Sequence, residues 1–381
     1  GKTLWKMKKI LVISANPAPP IQAGNQKCII EYCNLLHNIG CEVYFLYIEG
    51  RQKAPIEMFN YWGEKLFVYK KQLQKDIIKR TLIVLRAKLL GYNHVDDLYP
   101  IGLTKYVKKL QQEMDFNAII INYINLSKLF KSQFNCKKIL FTHDCMTFKK
   151  AHLGVCSFWF DLTPNQEAKG LRRCDTILSI QENESIFFRY LYPGGNVKTI
   201  YSYFKAVPQP LTGNKNILFL SGKSDLNING INYFIRDVFP LVLQKEPDAK
   251  LIIGGSICDS LFTIDENSIV KIGRVDNVEQ FYALGDIAIN PVYQGTGLKI
   301  KTFEALSYGK VTIVHPHSAE GIYDKFNAPI IQCKTPSEYA THLIEMLSNI
   351  EKRKEISNKS IEYIHSLNLY IAQQYKEVIM Q

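Results

Sequence analysis

The chain has 381 residues, of which 46% are hydrophobic and 22% charged. This balance excludes a disordered or fibrous protein, and the length predicts about two domains. No segment approaches the roughly 20 apolar residues of a membrane-spanning helix. The net charge is +12, from 47 basic and 35 acidic residues. Basic surface favours an acidic partner such as anionic lipid, a phosphate-bearing substrate or nucleic acid, and a solvated lysine-rich face is the alternative.

The N-terminal residues and the cysteines indicate the cellular compartment. Residues 1–9 are too short and too charged for a signal peptide, and Met7 is either the native start or an internal methionine. The nine cysteines are odd in number, and none has Cys-x-x-Cys spacing. We therefore expect unpaired thiols in a reducing, cytoplasmic compartment, with a structural zinc or disulfide set as the alternative.

Short apolar runs alternate with helical patterns along the first half of the chain. These runs are continuous, as in strands of a parallel sheet that is covered on both faces. They lie at residues 9–14, 42–47, 118–123, 138–143 and 176–180. Helical patterns at Gln26–Asn38 and Glu182–Leu191 complete βαβ units, which predict a doubly wound sheet.

A linker then interrupts the pattern. Residues 206–215 contain two prolines, a glycine and polar side chains, as domain linkers commonly do. The alternation restarts with runs at residues 216–221, 250–254, 269–272, 287–290, 311–314 and 329–332, and residues 335–381 have a helical pattern. We therefore predict two α/β domains joined near residue 210.

Residues 61–110 do not fit this alternation. They contain 11 Lys or Arg and 4 Asp or Glu, hence a charge of +7. Apolar residues recur there at helical spacing among basic ones: Ile78, Leu82, Leu85 and Leu89 beside Lys75, Lys79, Arg80, Arg86 and Lys88. Two interpretations stay open, an ordinary helix packed on its own domain and a helix that binds an anionic membrane surface or an acceptor.

Several motifs of other chemistries are absent. The chain has no Walker A loop, and no Gly-x-Gly-x-x-Gly follows its first strand, so a nicotinamide enzyme is disfavoured. It also lacks Asp-x-Asp, the simplest carboxylate pair for holding Mg²⁺ or Mn²⁺ against a diphosphate. We therefore expect no metal and no cofactor.

The most informative segment is 286–310. A predicted strand leads into the turn Gly295–Gly297, and a helix over about 298–308 follows. Such a turn presents free N–H groups and the positive end of the helix dipole, which receive a phosphate or diphosphate. Lys299 and Lys301 lie in the first turn of the helix, where the dipole disfavours cations unless an anion binds. Glu304, further along, can accept hydrogen bonds from hydroxyl groups.

This combination resembles the donor-binding core of GT-B glycosyltransferases, specifically the family 4-like, group 1 sugar transferases. Residues 16–26 resemble the family's first N-terminal loop and residues 219–255 the first βαβ unit of its C-terminal domain. The resemblance thus covers most of the chain. It implies an α/β GT-B fold, in which two Rossmann-like doubly wound parallel-sheet domains face each other across a cleft.

The resemblance also implies domain roles. Residues 1–207 would bind the acceptor and residues 214–365 the nucleotide sugar, while a helix over 366–381 is a candidate to pack back on the N-terminal domain. The implied donor-binding residues are Gly24, Asn25, Gly222, Lys223, Arg274, Gly295, Thr296, Gly297, Leu298, Lys299, Lys301 and Glu304. Among them, the Gly295–Leu298 backbone matches the diphosphate cradle and Glu304 the ribose carboxylate. Arg274 lies in a turn that resembles the one that holds the nucleotide base in the family.

His143 and Asp144 are the implied catalytic residues, with His143 near the donor sugar. One of them would deprotonate the acceptor hydroxyl if configuration is inverted, whereas retention needs no strong side-chain base. The alternatives are a buried core histidine at position 143 and a helix cap at Asp144. Likewise, Gly24 could belong to a plain loop, and Lys223 could be a surface residue.

Two departures from the family pattern concern charge. Thr296 stands where the family has the first of two glutamates, and Asn229 stands where a lysine is common. Lys299 and Lys301 can replace the missing positive charge.

The predicted function is therefore transfer of a sugar from a nucleotide diphosphate sugar to a glycan or lipid-linked acceptor. We expect a retaining, metal-independent enzyme of surface polysaccharide or glycoconjugate synthesis, cytoplasmic and in peripheral contact with anionic membrane. A sugar-nucleotide epimerase, a catalytically silent sugar-nucleotide-binding partner and a nucleic-acid binder are the rival hypotheses. We expect no nucleic-acid partner, because nucleic-acid binding does not explain the glycine turn.

Overall fold

The computed structural model describes residues 6–261, 267–295 and 298–381, except for the side chains of Leu73 and Gln74. The chain divides into two compact units. The first consists of Gly1–Tyr203 with Ile371–Gln381, and the second of Phe204–Tyr370. The domain roles suggested by the sequence stay predictions.

Within the described residues of the first unit, seven parallel strands form one sheet in the order β3-β2-β1-β4-β5-β6-β7. The strands are β1 (Lys8–Ser14), β2 (Cys41–Glu49), β3 (Leu66–Lys70), β4 (Ala118–Asn122), β5 (Lys137–Phe141), β6 (Thr176–Ser179) and β7 (Val197–Thr199). The central strands are apolar and fully buried, as at Ile10–Ile13, because helices cover both faces of such sheets. The sequence pattern missed β3 and β7, which are the two edge strands of this sheet.

The helices of the first unit follow the strands in βαβ order. They are α1 (Gly24–Asn38), α2 (Ile56–Trp62), α3 (Leu73–Leu90), α4 (Leu103–Met114), α5 (Lys149–Leu153), α6 (Pro164–Leu171) and α7 (Glu182–Leu191). The last turns of the C-terminal helix also belong to this unit. There Tyr375 is buried and stacks on Tyr32 with ring centres 6.2 Å apart, and Glu377 pairs with Lys198 at 3.0 Å.

Six parallel strands make the sheet in the part of the second unit that the structure describes, in the order β10-β9-β8-β11-β12-β13. They are β8 (Asn216–Leu220), β9 (Lys250–Gly254), β10 (Ile269–Gly273), β11 (Ile287–Asn290), β12 (Val311–Val314) and β13 (Ile330–Gln332). The helices are α8 (Asp225–Tyr233), α9 (Phe239–Lys245), α10 (Val278–Tyr282), α11 (Ile300–Ser307), α12 (Pro336–Ser348) and α13 (Ile350–Met380), and a π-helical turn, Phe234–Val238, joins α8 to α9. The two predicted doubly wound sheets are thus confirmed.

A buried ion pair secures the start of the second unit. Arg353 of α13 contacts Asp286 at 3.0 Å, and both side chains are about 1% exposed. Asp286 also accepts hydrogen bonds from the backbone N–H groups of Thr212 at 2.7 Å and Gly213 at 3.0 Å. Removing one partner of such a pair would leave a buried charge uncompensated.

The predicted basic helix corresponds to α3, and its apolar row is exposed. Leu82 is 63% exposed and Leu89 is 85% exposed, while Ile83 on the other side is 9% exposed. The interpretation that this row packs on its own domain is therefore wrong. Among the helices within the described ranges, none is long and apolar enough to cross a membrane.

Candidate functional site

In doubly wound sheets, ligands bind at the carboxyl ends of the strands where the strand order reverses. In the second unit this point lies between β8 and β11, and in the first unit between β1 and β4. The loops after these four strands contain most of the residues that the sequence selected. Each unit is therefore described from its own reversal point.

The glycine turn follows β11 in the second unit. Gly295 has φ of 112°, and a Cβ there would lie 3.0 Å from Leu226 Cδ1, so a side chain would be strained and crowded. Thr296 and Gly297 lie outside the described residues. Leu298 is half-buried and its carbonyl accepts the Ile300 N–H at 2.9 Å. Leu298 is thus two residues before Ile300, the first residue of α11.

Lys299 and Lys301 flank the first residue of α11. Both side chains are half-buried, and burial lowers the pKa of each ammonium. Lys299 Nζ lies 3.3 Å from His317 Nε2, and neither lysine forms an ion pair with any part of the chain that the structure describes. Two desolvated cations at a helix N-terminus are costly alone and are stabilised by an anion.

His317 supports this turn from the loop after β12. Its Nε2 is 2.9 Å from the Gly295 carbonyl and its Nδ1 is 3.5 Å from Glu320. Burial, together with the charge of Lys299, lowers the pKa of His317, which favours the neutral ring. Nε2 can then either donate to Gly295 or accept from Lys299.

Glu304 lies one turn further along α11. Its carboxylate accepts a hydrogen bond from the hydroxyl of Tyr282 at 3.1 Å. Tyr282 is buried and stacks on Tyr308, with ring centres 4.9 Å apart. This aromatic support holds the Glu304 carboxylate in place on the helix that contains Lys301 and has Lys299 at its N-cap.

Three further donor-site candidates, Gly222, Lys223 and Arg274, lie in loops that follow strands of the same sheet. The loop after β8 leads into α8, where Asn229 Nδ2 lies 3.4 Å from Oε1 of Gln294, the residue before Gly295. Within that loop Gly222 and Lys223 are exposed, and the Lys223 N–H donates to Ser256 Oγ at 2.9 Å. Arg274 follows the edge strand β10, is 89% exposed and pairs with Asp276 at 2.8 Å. Their predicted roles on a nucleotide stay predictions.

In the first unit, Gly24 and Asn25 begin α1. The side chain of Gln26 orders this loop by accepting the N–H groups of Gln22 at 2.7 Å and Ala23 at 2.9 Å. Asn25 Nδ2 then donates to the hydroxyl of Tyr123 at 3.1 Å. The loop is thereby joined to the residue that follows β4.

His143 is buried two residues beyond β5, with φ of 59°, a strained conformation for a non-glycine residue. Its Nε2 lies 2.8 Å from Asn122 Oδ1, and Asn122 Nδ2 donates to the Ile13 carbonyl at 2.9 Å. Because Asn122 offers its oxygen, Nε2 of the neutral ring carries the proton. Burial lowers the pKa of His143 to about 3. A neutral histidine of this kind is a weak base.

Asp144 has a different surrounding. Its carboxylate accepts hydrogen bonds from Lys149 Nζ at 2.6 Å and from the Cys145 N–H at 2.9 Å. Helix α5 begins at Lys149 and Phe148 occupies its N-cap position. The alternative that Asp144 caps the next helix is therefore wrong.

A cavity of about 730 Å³ opens at the carboxyl ends of β1 to β4 in the first unit. Basic, amide and aromatic side chains line it: Arg51, Lys71, Lys79, Arg80, Asn16, Asn25, Asn122, Asn125, Tyr99, Tyr123 and Trp159. The sequence analysis selected only Asn25 as a site residue from this set. Asn122, Tyr123, Tyr282 and His317 were also missed, because their roles depend on partners distant in sequence.

The described residues hold no group of three His, Cys, Asp or Glu side chains that could bind a metal ion. All nine cysteines have free thiols.

Comparisons with known proteins agree with this geometry. Residues 214–349 match the model of the family described as glycosyl transferases group 1. A curated relative from Klebsiella pneumoniae, "Uncharacterized 44.6 kDa protein in cps region", is 24% identical over 162 residues. That match covers 40% of this chain and 42% of the relative, so less than half of the relative's length is spanned.

Two solved structures resemble the whole chain. The TarM structure has a TM-score of 0.67 at 11% identity and covers 99% of each chain. HepE of Anabaena in complex with UDP has a TM-score of 0.65 at 14% identity, with 98% of this chain and 100% of that chain covered. The chain therefore has the GT-B fold, and its residues 214–349 match the model of the glycosyl transferases group 1 family, in agreement with the resemblance found in its sequence.

Proposed function

We propose that this chain is a glycosyltransferase that moves a sugar from a nucleoside diphosphate sugar to a glycan or lipid-linked acceptor. One observation carries the proposal. Lys299 occupies the N-cap position of the helix that contains Lys301 and Glu304, and Gly295 precedes this helix with a positive φ; the lysines form no ion pair within the described parts of the chain. UDP is the first nucleotide to test, because the similar HepE structure contains it.

In the proposed mechanism the second unit stabilises the leaving group. Negative charge develops on the diphosphate as the bond to the sugar breaks, and preorganised N–H groups and ammonium groups favour that charge. Backbone groups near Gly295 and the Lys299 and Lys301 ammonium groups would supply this stabilisation. Glu304 would accept hydrogen bonds from the ribose hydroxyls and so orient the nucleotide.

The same leaving-group mechanism fits a retaining, metal-independent transferase. The lysines supply positive charge that a divalent cation would otherwise supply. Buried, neutral His143 suits hydrogen bonding to the donor sugar better than proton abstraction. We include these two properties in the proposal, with Asp144 as the remaining candidate base if configuration is inverted.

The proposal also covers location and pathway. The relative from the cps region supports a role in surface polysaccharide synthesis. Helix α3 exposes an apolar row, including Leu82 and Leu85, beside several basic residues, a pattern suited to the surface of an anionic membrane. We therefore propose a cytoplasmic protein in reversible contact with the membrane.

A donor screen followed by turnover tests this function. Thermal unfolding with a panel of nucleotides should identify the base, since a ligand at 100 times its dissociation constant adds about 2.7 kcal/mol of stability. The matching sugar nucleotide, with EDTA present, should then release nucleoside diphosphate only when a lipid-linked or glycan acceptor is added. Conversion of the donor without an acceptor would indicate an epimerase, and binding without release would indicate a silent partner. Either result would contradict the proposal.

A further inference from the structure

The cavity in the first unit has a marked excess of positive charge. Arg51 follows β2 and Lys71 follows β3, while Lys79 and Arg80 lie on α3. All four side chains line the same cavity. Four cations around one space repel one another, so the arrangement is stabilised when an anion occupies it.

The acidic residues of the cavity do not neutralise this charge. Asp97 is already paired with Arg86, and it also accepts the His94 N–H at 2.9 Å. Asp76 is the other acidic lining residue, and its charge acts on Lys71. Among the described residues Arg51 and Arg80 form no ion pair. With Asp97 neutralised, one carboxylate faces four cations.

The charged groups are available to a ligand. Arg51 and Arg80 are exposed, and Lys71 and Lys79 are half-buried. Lys79 Nζ uses one hydrogen bond on the Tyr99 carbonyl at 3.3 Å, which leaves donors free. Guanidinium groups bind phosphate oxygens in pairs, and ammonium groups add point charges. A phosphate or diphosphate ester matches this set.

An apolar surface begins at the rim of the cavity. Ile77 lines the cavity and is 62% exposed. Along the same helix Ile78 is 70%, Leu82 63% and Leu85 60% exposed. A cationic surface and an apolar surface therefore adjoin, which fits a ligand with a phosphate group and a hydrocarbon chain.

We propose that this cavity binds the phosphate or diphosphate group of a lipid-linked acceptor, with Arg51, Lys71, Lys79 and Arg80 on the anion and the chain along α3. The proposal rests on the proposed function and names the acceptor class. Aromatic and amide residues of the same cavity, Trp159 and Asn125 among them, would face the acceptor's first sugar.

Binding by the full chain tests the proposal. Calorimetric titrations with saturating UDP present would compare farnesyl diphosphate, inorganic diphosphate and farnesol. Farnesyl diphosphate should bind the most tightly of the three. Arg51→Glu with Arg80→Glu should weaken it by about tenfold or more, since a hydrogen bond to a charged group contributes about 1.5–3 kcal/mol. Both arginines are exposed, so the fold should tolerate the change.

Lys75→Glu is the matched control, because Lys75 is an exposed residue of α3 outside the cavity lining. The dissociation constant of this variant for farnesyl diphosphate should stay within about twofold of that of the unaltered chain. This is well below the tenfold change, about 1.4 kcal/mol, expected for the double variant. Equal binding by the double variant and the unaltered chain would overturn the proposal. Equal binding of inorganic diphosphate would overturn the lipid assignment, and a free phosphate would then be the ligand. Failure of UDP binding alone would count against the proposed function and not against this cavity.

Discussion

The two sheets carry different chemistry at their carboxyl ends. In the second unit a glycine turn, a helix N-terminus and two half-buried lysines are adjacent in sequence, all within residues 295–301. In the first unit the cationic cavity takes its residues from loops after several strands and from α3. The surface in the second unit is made mainly of backbone groups from one short motif. The surface in the first unit is made of long side chains that are far apart in the sequence.

This difference has a physical origin. A diphosphate cradle needs backbone N–H groups at a helix N-terminus, which constrains the local sequence to glycine and small residues. A surface for a variable acceptor needs charge and shape from side chains, and many spacings along the chain can supply them. The second unit can therefore be recognised from its sequence, whereas the first can be interpreted only in three dimensions.

The largest expected effect is a loss of UDP binding that occurs on substitution in the second unit and not in the first. Lys299→Ala with Lys301→Ala should weaken UDP binding by about 1.5–3 kcal/mol per lost charged hydrogen bond. Lys71→Ala, in the first unit, is the control and should leave UDP binding unchanged. Calorimetric titration measures both variants. Undiminished UDP binding in the double variant would contradict the assigned cradle.

A second variant distinguishes ribose binding from diphosphate binding within the nucleotide site. Glu304→Gln keeps the shape of the side chain and removes its charge, so UDP should bind about tenfold more weakly while inorganic diphosphate is unaffected. Tyr282→Phe removes the hydroxyl that donates to Glu304 and should have a smaller effect. Competition titrations with both ligands give the comparison. Equal losses for UDP and diphosphate would show that Glu304 does not contact the ribose.

The third prediction concerns His143 and stability. Its pKa is lowered to about 3 in the folded chain, below the roughly 6.5 of an unfolded histidine. The unfolded state therefore binds the extra proton below pH 6.5, and the free energy of unfolding should fall by about 1.4 kcal/mol per pH unit from there towards pH 3.

His143→Gln lacks this group, so its free energy of unfolding should lose less between pH 7 and pH 5 than that of the unaltered chain. Urea unfolding at several pH values measures the difference. His37→Gln is the control, because His37 is exposed and meets water in both states. Parallel pH profiles for His143→Gln and the unaltered chain would refute the burial argument.

The smallest expected effect concerns α3 and the membrane. Leu82→Asp should reduce pelleting with anionic liposomes at low salt, because each basic residue near the surface adds only about 1 kcal/mol and the apolar contact supplements it. The melting temperature should not change, since Leu82 is exposed. Ile83→Asp, at the buried neighbour, should destabilise the fold instead. If equal amounts of the unaltered chain pellet with anionic and with neutral liposomes, the proposed contact with an anionic membrane is contradicted.

The sequence by itself determined the central strands, the two doubly wound sheets and the glycine turn. Runs such as Ile10–Ile13 and Ile287–Ile289 are apolar throughout because both faces of a parallel strand are buried. The edge strands β3 and β7 escaped prediction because β3 lies within residues 61–110, which do not follow the alternation, and β7 has three residues, one of them a lysine. Helix α3 was predicted, but periodicity cannot tell which face of a helix is covered.

Only the tertiary structure decided the environments of the site residues. The state of His143 depends on Asn122, which is 21 residues away, and the placement of Asn25 depends on Tyr123, 98 residues away. The cationic cavity takes its residues from the segments after β2 and β3 and from α3. These contacts arise from packing between distant segments, and packing, through desolvation and charge, sets what each side chain can do.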